Sequence, residues 1–317
     1  MYAIKDKWCV IVNVFAASKQ AGSVWKKAAA MLDEFHVQYV VKFTGGAYNA
    51  TELTRKASCD GYRKFIAVGG DGTVHDVLNG IAGCVAETEG ILLSDFTMAV
   101  LPVGSGNDWV RSTKVPKDLR KAIMLIAEGR TSKQDVAVVK TSTGTESTYM
   151  ANVGGIGLDA RVCEIVNRKK EQGYRGRKLY VQALINCIRH RVPICAKVIC
   201  DGVTVFDGKY LSMAFGIGKY SGGGMRQTPL AVMDDGLLDV TIIPDISMWT
   251  IARKAPRLFT GTFHKVDVLT QARCREVVII PYGPADAEPV EVDGEVIGRV
   301  PARMSILPEQ INIITGL

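Results

Sequence analysis

The fold turns on the stretch Lys64-Phe-Ile-Ala-Val68-Gly69-Gly70-Asp71-Gly72-Thr73-Val74-His-Asp-Val-Leu-Asn-Gly80. Its first part, Lys64–Val68, is an apolar run of strand type, and from Val74 to Gly80 the apolar spacing becomes helical. Glycines at the corner let backbone N–H groups approach a ligand closely. The helix N-terminus that follows favours anions, so the corner suits phosphate oxygens. Asp71 repels phosphate; its chemistry is to hold Mg²⁺ or to accept a proton from a hydroxyl. The same residues could also form a plain strand–turn–helix corner in which the glycines serve the turn alone.

Outward from this corner, residues 8–128 alternate strand and helix signals. Strand-like runs lie at Trp8–Val14, Val37–Phe43, Lys64–Val68 and Thr97–Leu101, and helical spacing lies at Val24–Phe35, Ala50–Ser58, Val74–Gly80 and Leu119–Ala127. That order predicts an α/β domain with a mostly parallel sheet. From about residue 130 strand signals follow one another: Gln134–Lys140, Ser147–Val153, Ile194–Ile199, Tyr210–Ile217, Leu237–Ile243, Glu276–Ile280 and Val290–Val292. Helical spacing remains only at Asp159–Asn167, Lys178–Arg189 and Met248–Phe259. This predicts a second domain of mainly antiparallel β structure. Met304–Thr315 is strand-like and fits either domain.

A second loop repeats the logic of the first. Leu101-Pro-Val-Gly104-Ser105-Gly106-Asn107-Asp108 follows a strand and places glycines, a hydroxyl and a carboxylate where open α/β sheets bind ligands. Ser105 can bond a phosphate oxygen, and Asp108 adds a second acid.

Composition narrows the class. The chain has 317 residues, 47% hydrophobic and 22% charged, enough to bury two cores. It contains no uninterrupted apolar stretch of about 18 residues, as a spanning helix would need. The opening residues carry mixed charge and too short an apolar run for a signal peptide. Eight scattered cysteines without a CxxC pair fit a reducing compartment, and four histidines without HxxxH spacing argue against a zinc site. The net charge is +7, and between Arg161 and Arg191 nine basic residues face only Glu164 and Glu171. That stretch is either a solvated helical face or a patch for anionic headgroups. Nucleic acid is the weaker partner because aromatics are sparse there.

The two loops resemble the nucleotide-binding signatures of the diacylglycerol kinase catalytic domain family, which includes bacterial lipid kinases and sphingosine kinases. Asn152-Val-Gly-Gly-Ile-Gly-Leu-Asp159-Ala, Gly223-Gly-Met-Arg-Gln-Thr-Pro229-Leu-Ala, Asp234-Asp-Gly-Leu-Leu-Asp239 and Val292-Asp293-Gly-Glu295 resemble further family segments, in family order. The first loop departs: Asn13-Val-Phe-Ala-Ala-Ser-Lys-Gln-Ala-Gly22 lacks the usual proline. Asp76 stands where glutamate is usual, and Ser105 where many bacterial members have threonine.

The resemblance implies an N-terminal α/β ATP-binding domain (1–130 with 302–317) and a C-terminal antiparallel β-sandwich for the lipid (131–301), with the catalytic cleft between them. It implies ATP and Mg²⁺ as cofactors, with ATP near Asn13, Thr44, Gly69, Gly70, Asp71, Gly72, Thr73, Gly104, Ser105, Gly106, Asn107 and Asp108. Asp135 would join Asp71 and Asp108 near Mg·ATP. Asp71, Asp293 and Glu295 would be catalytic, with Glu295 taking the proton of the lipid hydroxyl. A structural metal would lie at Asp235 and the carbonyls of Val232 and Leu237.

The expected activity is ATP-dependent phosphorylation of a lipid hydroxyl, with diacylglycerol as the leading acceptor. A sphingoid or other lipid, a soluble acceptor as in NAD kinases, and a non-catalytic binder are the alternatives. A Rossmann oxidoreductase is disfavoured because Gly155-Ile-Gly157 sits mid-chain without its acidic partner. The expected setting is cytoplasmic and peripheral at the inner membrane face. Residues 161–191 and Met248–Phe259 are the candidate contacts with an anionic membrane surface, nucleic acid is not expected as a partner, and a homodimer is left open.

Overall fold

The computed structural model describes residues 4–14, 21–45, 49–103, 106–144, 147–172, 174, 177–190, 194–283 and 288–317. They form two compact units, Met1–Val136 with Leu307–Leu317, and Ala137–Ile306.

The first unit begins with β1 (Trp8–Val12), α1 (Ala21–Glu34), β2 (Tyr39–Phe43), α2 (Ala50–Cys59), β3 (Lys64–Gly69), α3 (Asp71–Glu87), β4 (Thr97–Pro102), α4 (Asp108–Thr113), α5 (Leu119–Glu128) and β5 (Thr131–Gln134). β2, β1, β3 and β4 are parallel neighbours in that order. All of β1 and all but the first residue of β3 are buried, as parallel strands covered on both faces require. Helix boundaries follow local chemistry. Asn49 caps α2 by accepting the Glu52 N–H at 2.8 Å, and Asp118 caps α5 by accepting the Lys121 N–H at 2.9 Å. Gly129 ends α5 at φ 69°, a left-handed stop.

The second unit comprises β6 (Ala137–Thr141), β7 (Thr148–Met150), β8 (Val153–Gly157), α6 (Leu158–Glu171), α7 (Arg177–Arg189), β9 (Ile194–Cys200), β10 (Val203–Gly216), β11 (Leu238–Pro244), α8 (Met248–Lys254), α9 (Arg257–Thr260), β12 (Thr270–Cys274), β13 (Glu276–Pro281), β14 (Pro289–Val292), β15 (Glu295–Arg299) and β16 (Ala302–Ile306). Its eleven strands form one hydrogen-bonded network, antiparallel throughout. Alternate residues such as Ala196 and Val198, Val277 and Ile279, and Ala302 and Met304 enter one shared core, the period-two pattern of a sheet with one face packed. β8 and β14 are buried along their whole length, and α6 packs on both. Val162 and Val166 of α6 meet Leu179, Ala183 and Cys187 of α7 in a separate small core.

The chain returns to the first unit through β17 (Ile311–Ile314), which pairs parallel with β4 and antiparallel with β5. Two runs that looked like single strands are therefore each divided. Gln134–Lys140 becomes β5 and β6, and Met304–Thr315 becomes β16 and β17, one strand of each pair in each unit. The units divide after Val136 and after Ile306 rather than after residues 130 and 301, because β5 pairs with β17 while β16 pairs with β13 and β6. The helical run Met248–Phe259 is broken at Pro256 into α8 and α9.

α2 and α3 lie unusually close, and Gly80 allows it. A Cβ added there would stand 2.5 Å from the Thr51 carbonyl oxygen and 2.9 Å from the Arg55 nitrogen. Neither backbone atom can swing aside, so we expect Gly80→Ala to destabilise the first unit by about 1–3 kcal/mol, measured as a lowered urea midpoint. An unchanged midpoint would mean the helices separate freely.

Candidate active site

The nucleotide residues expected from the sequence gather at the carboxyl ends of the four parallel strands. Asn13 follows β1, and its N–H donates to the Val68 oxygen of β3 at 3.2 Å. Thr44 follows β2; its N–H donates to the Val12 oxygen at 3.0 Å, and its hydroxyl accepts the Val14 N–H at 3.3 Å. Gly69 ends β3, and its oxygen accepts the Val103 N–H at 2.9 Å. β1 leads to β2 on one side of the sheet and β3 leads to β4 on the other, so this edge is the topological switch point where open α/β sheets bind ligands. Gly104 and Ser105 lie outside the described residues.

Several of these residues prove to be structural supports. The Thr73 side chain is buried and folds back over Gly69, where an added Cβ would collide with its hydroxyl at 2.1 Å. Asn13 Nδ2 donates to that hydroxyl at 3.3 Å, tying the Asn13 loop to the Gly69–Thr73 corner. Asp71, the first residue of α3, accepts the Trp109 N–H of α4 on Oδ1 at 3.0 Å. Asp71 thus caps a neighbouring helix whose own N-cap residue, Asn107, is left-handed at φ 52° and makes no side-chain cap. A Cβ at position 106 would stand 2.9 Å from Asp71 Oδ2, so a larger residue there would push on that carboxylate.

The Trp109 indole, fully buried, donates to Gln134 Oε1 at 2.9 Å. The next residue, Asp135, is buried and accepts from Gln310 Nε2 at 2.8 Å. A path of hydrogen bonds therefore runs from Asp71 through Trp109 to β5. Asp108 lies 3.7 Å from Arg111. Asp76, standing where the family usually has glutamate, accepts from Thr51 of α2 at 3.2 Å, and desolvation raises its pKa. Gly70, Asp71 and Gly72 remain partly exposed. The N-cap of α3, Gly70, contributes no side chain to its amides, so the first turn of this helix can receive an anion.

In the second unit the acids gather on the β14–β15 hairpin. Asp293 sits at its turn with φ 54° and accepts the Ala151 and Asn152 N–H groups, both at 2.9 Å, while its own N–H donates to the Val153 oxygen at 2.9 Å. Asp293 therefore clamps the hairpin to the start of β8. Glu295 is exposed at the start of β15 and accepts from Asn167 of α6 at 3.3 Å.

Glu291, absent from the sequence reading, lies buried beneath them. Burial pushes its carboxyl up to about 8, against the Gly294 N–H bonded to it at 3.0 Å and with repulsion from Asp159, Asp293 and Glu295 adding to the rise. Its Oε1 comes within 2.9 Å of where a Cβ on Gly155 would be. Asp159 accepts from Ser212 Oγ at 2.5 Å, and desolvation raises its pKa as well. The signal that could have found Glu291 is an acid between Val290 and Val292 in an otherwise apolar strand.

Asp235, expected from the resemblance to hold a structural metal, is paired with an arginine. Arg273 forms an ion pair with it and donates to Asp239 at 3.1 Å, while the Leu237 N–H donates to Asp235 at 3.1 Å. The Arg273 guanidinium therefore lies beside both the Asp235 and Asp239 carboxylates. No cluster of three His, Cys, Asp or Glu among the described residues could hold a metal ion. Arg161, counted in the basic stretch, is instead paired with the buried Glu288. Among the described residues no helix is long and apolar enough to cross a membrane.

The Glu291 shift gives stability a pH dependence. Below 4.5, the ordinary glutamate value, folded and unfolded states are both protonated; between there and about 8 only the folded state keeps the proton. Stability therefore falls as pH rises through that window, by up to about 1.4 kcal/mol per pH unit. We expect Glu291→Gln to remove this part of the decline, so that calorimetric melting of the variant gains on wild type from about pH 5 to about pH 8. Parallel melting curves would place the proton elsewhere.

Two family models cover most of the chain: the diacylglycerol kinase catalytic domain over residues 7–139, and the YegS C-terminal NAD kinase beta sandwich-like domain over residues 152–315. The chain is 27% identical to the diacylglycerol kinase of Mycobacterium tuberculosis strain H37Rv over 277 residues, 87% of this chain and 84% of that protein. It is 28% identical to the "probable lipid kinase YegS-like" of Xanthomonas euvesicatoria pv. vesicatoria, with 98% of each chain covered. The crystal structure of a diacylglycerol kinase from Bacillus anthracis strain Sterne shares its fold, with a TM-score of 0.74 and 21% identity over 98% of this chain and 97% of the other. The chain belongs to the diacylglycerol kinase family of lipid kinases and carries a YegS-type C-terminal domain.

Proposed function

We propose that the protein transfers the γ-phosphate of ATP to the free hydroxyl of diacylglycerol, giving phosphatidic acid and ADP. The observation that carries this reading is the gathering of Asn13, Thr44, Gly69–Thr73 and Gly106–Asp108 at one edge of four parallel strands, with Asp71 bridging the two glycine loops. The nucleotide is assigned to the first unit, its phosphates at the first turn of α3. Mg²⁺ would be held by Asp71 and Asp108 and would neutralise charge on the β- and γ-phosphates. Asp135 follows Gln134, the acceptor of the Trp109 indole, and itself accepts from Gln310.

The acceptor lipid is assigned to the second unit. The hydroxyl oxygen forms the new bond to phosphorus, the bond to the β–γ bridging oxygen breaks, and ADP leaves with that electron pair. Glu295, exposed on its hairpin, takes the hydroxyl proton. Asp293 positions that hairpin through its two backbone bonds. The relatives named as diacylglycerol kinase and as lipid kinase support the acceptor class.

The test is transfer of radiolabelled γ-phosphate from ATP into a total lipid extract, with chromatographic identification of the product. Label in phosphatidic acid is the expected result; label in another phospholipid would change the acceptor, and label only in water-soluble product would overturn the lipid reading. We expect Glu295→Gln to lower kcat by about 10²–10⁴-fold with little change in KM for ATP. Activity within a few-fold of wild type would remove Glu295 from the proton transfer. Asp71→Asn keeps an oxygen for the Trp109 amide but loses the charge, so we expect loss of activity with only a small drop in melting temperature from the weaker hydrogen bond.

A further inference from the structure

Residues 246–266 leave β11 as α8, turn at Pro256 into α9 and close in a 3₁₀ turn at Phe263–Lys265. The stretch carries Arg253, Lys254, Arg257 and Lys265 and not one carboxylate. Trp249 is 86% exposed and Phe259 60%, whereas the other three tryptophans, Trp8, Trp25 and Trp109, are at most 8% exposed. An indole and a phenyl ring held open in water beside arginines have the composition of a surface that lies in the headgroup region of a bilayer. There the rings leave water, the indole N–H keeps a polar partner, and the cations meet phosphates. Lys254 pairs with Asp267, and Arg257 donates to the Lys265 carbonyl at 3.2 Å. The side chains of Arg253 and Lys265 make no ion pair among the described residues.

This arm is joined to the acidic cluster of the same unit. The Arg226 N–H donates to the Leu258 oxygen at 2.7 Å, and its guanidinium fills the space beside Gly261, where a Cβ would collide with it. The same guanidinium lies 5.3 Å from the centre of the Tyr220 ring. The next residue, Gln227, accepts from Ser221 Oγ at 2.6 Å and hydrogen-bonds Asp159. One step along the chain therefore separates the anchor of the arm from a group that contacts Asp159.

We propose that α8 and α9 form the surface by which the second unit docks on an anionic lipid bilayer, with Trp249 and Phe259 entering the interface and Arg253, Arg257 and Lys265 meeting lipid phosphates. The choice of a bilayer as partner rests on the lipid-kinase reading, and the docking deepens it. Seating the arm brings the Arg226–Gln227 segment, and with it the Asp159 cluster, to the membrane that supplies the acceptor.

The test uses the full chain without nucleotide. Vesicles of phosphatidylcholine alone are compared with vesicles of equal parts phosphatidylcholine and phosphatidylserine. Neither lipid has a free hydroxyl to phosphorylate, so the result is independent of the kinase assay. Trp249 is the one open indole, and its fluorescence reports entry directly. Expected are a blue shift and cosedimentation with the anionic vesicles, with binding at least tenfold weaker to phosphatidylcholine alone and in Arg253→Glu/Arg257→Glu. Trp249→Phe should bind without the blue shift, and Trp249→Ser/Phe259→Ser should lose binding at an unchanged melting temperature. Absence of cosedimentation, equal binding to both vesicle types, or wild-type binding by the folded charge-reversal variant would overturn the proposal. A blue shift that grows with protein concentration in the absence of vesicles would also overturn it, and would assign the face to a second copy of the chain.

Discussion

A carboxylate accepting a backbone N–H from another loop is the constraint on which the candidate site depends. Asp71 begins α3, yet the amide it satisfies belongs to Trp109 in α4. An unsatisfied amide at a buried helix start is costly, and a charged acceptor makes the stronger kind of hydrogen bond. The Leu101–Asp108 loop is therefore fastened at its exit by a residue of the glycine corner, and that carboxylate also lies next to Gly106. The second unit repeats the device independently. Asp293, left-handed at its hairpin turn, takes two adjacent N–H groups from the entry to β8. Asp71, which the glycine corner marks as chemical, and Asp293, to which the family resemblance gives a chemical role, are thus also architectural.

This double duty changes how these positions should be viewed. Asp293, with a backbone donor on each oxygen, is pre-organised: its orientation is fixed before any ligand arrives, and little reorganisation remains for the reacting state. Glu295, by contrast, is exposed at the start of β15 and accepts from the Asn167 amide. It is the less constrained acid of the hairpin, as a group that must exchange a proton with an incoming hydroxyl should be. Glu291 below it is constrained in another way, since burial disfavours its charge and the hairpin amide of Gly294 supports it.

Most of the first unit was legible because each signal there is local. Continuous apolar runs mark buried parallel strands, Asn49 and Asp118 mark helix starts, and the glycine corner marks the ligand edge. What escaped depends on distant partners. α4, Asp-Trp-Val-Arg-Ser-Thr, has no helical periodicity and is held by Asp71 and Gln134 from elsewhere in the chain. β12, Thr-Gln-Ala-Arg-Cys, pairs only with β11 and reads as a polar turn. Glu291 looks like an ordinary strand acid until register places it opposite Gly155. The partner of Asp235, Arg273, lies 38 positions on and reaches it through β-pairing that no local pattern shows.

The return of β17 has a consequence for biosynthesis. β5 finds its sheet partner only in Ile311–Ile314, and β17 is also the strand that joins β5 to β4. The second unit, by contrast, is one uninterrupted segment of chain. During translation the inserted β unit can complete all its pairings while the sheet that encloses it in sequence still lacks an inner strand. The nascent first unit must keep β4 with an open edge throughout that interval, an exposure that favours rapid elongation or a chaperone at the ribosome.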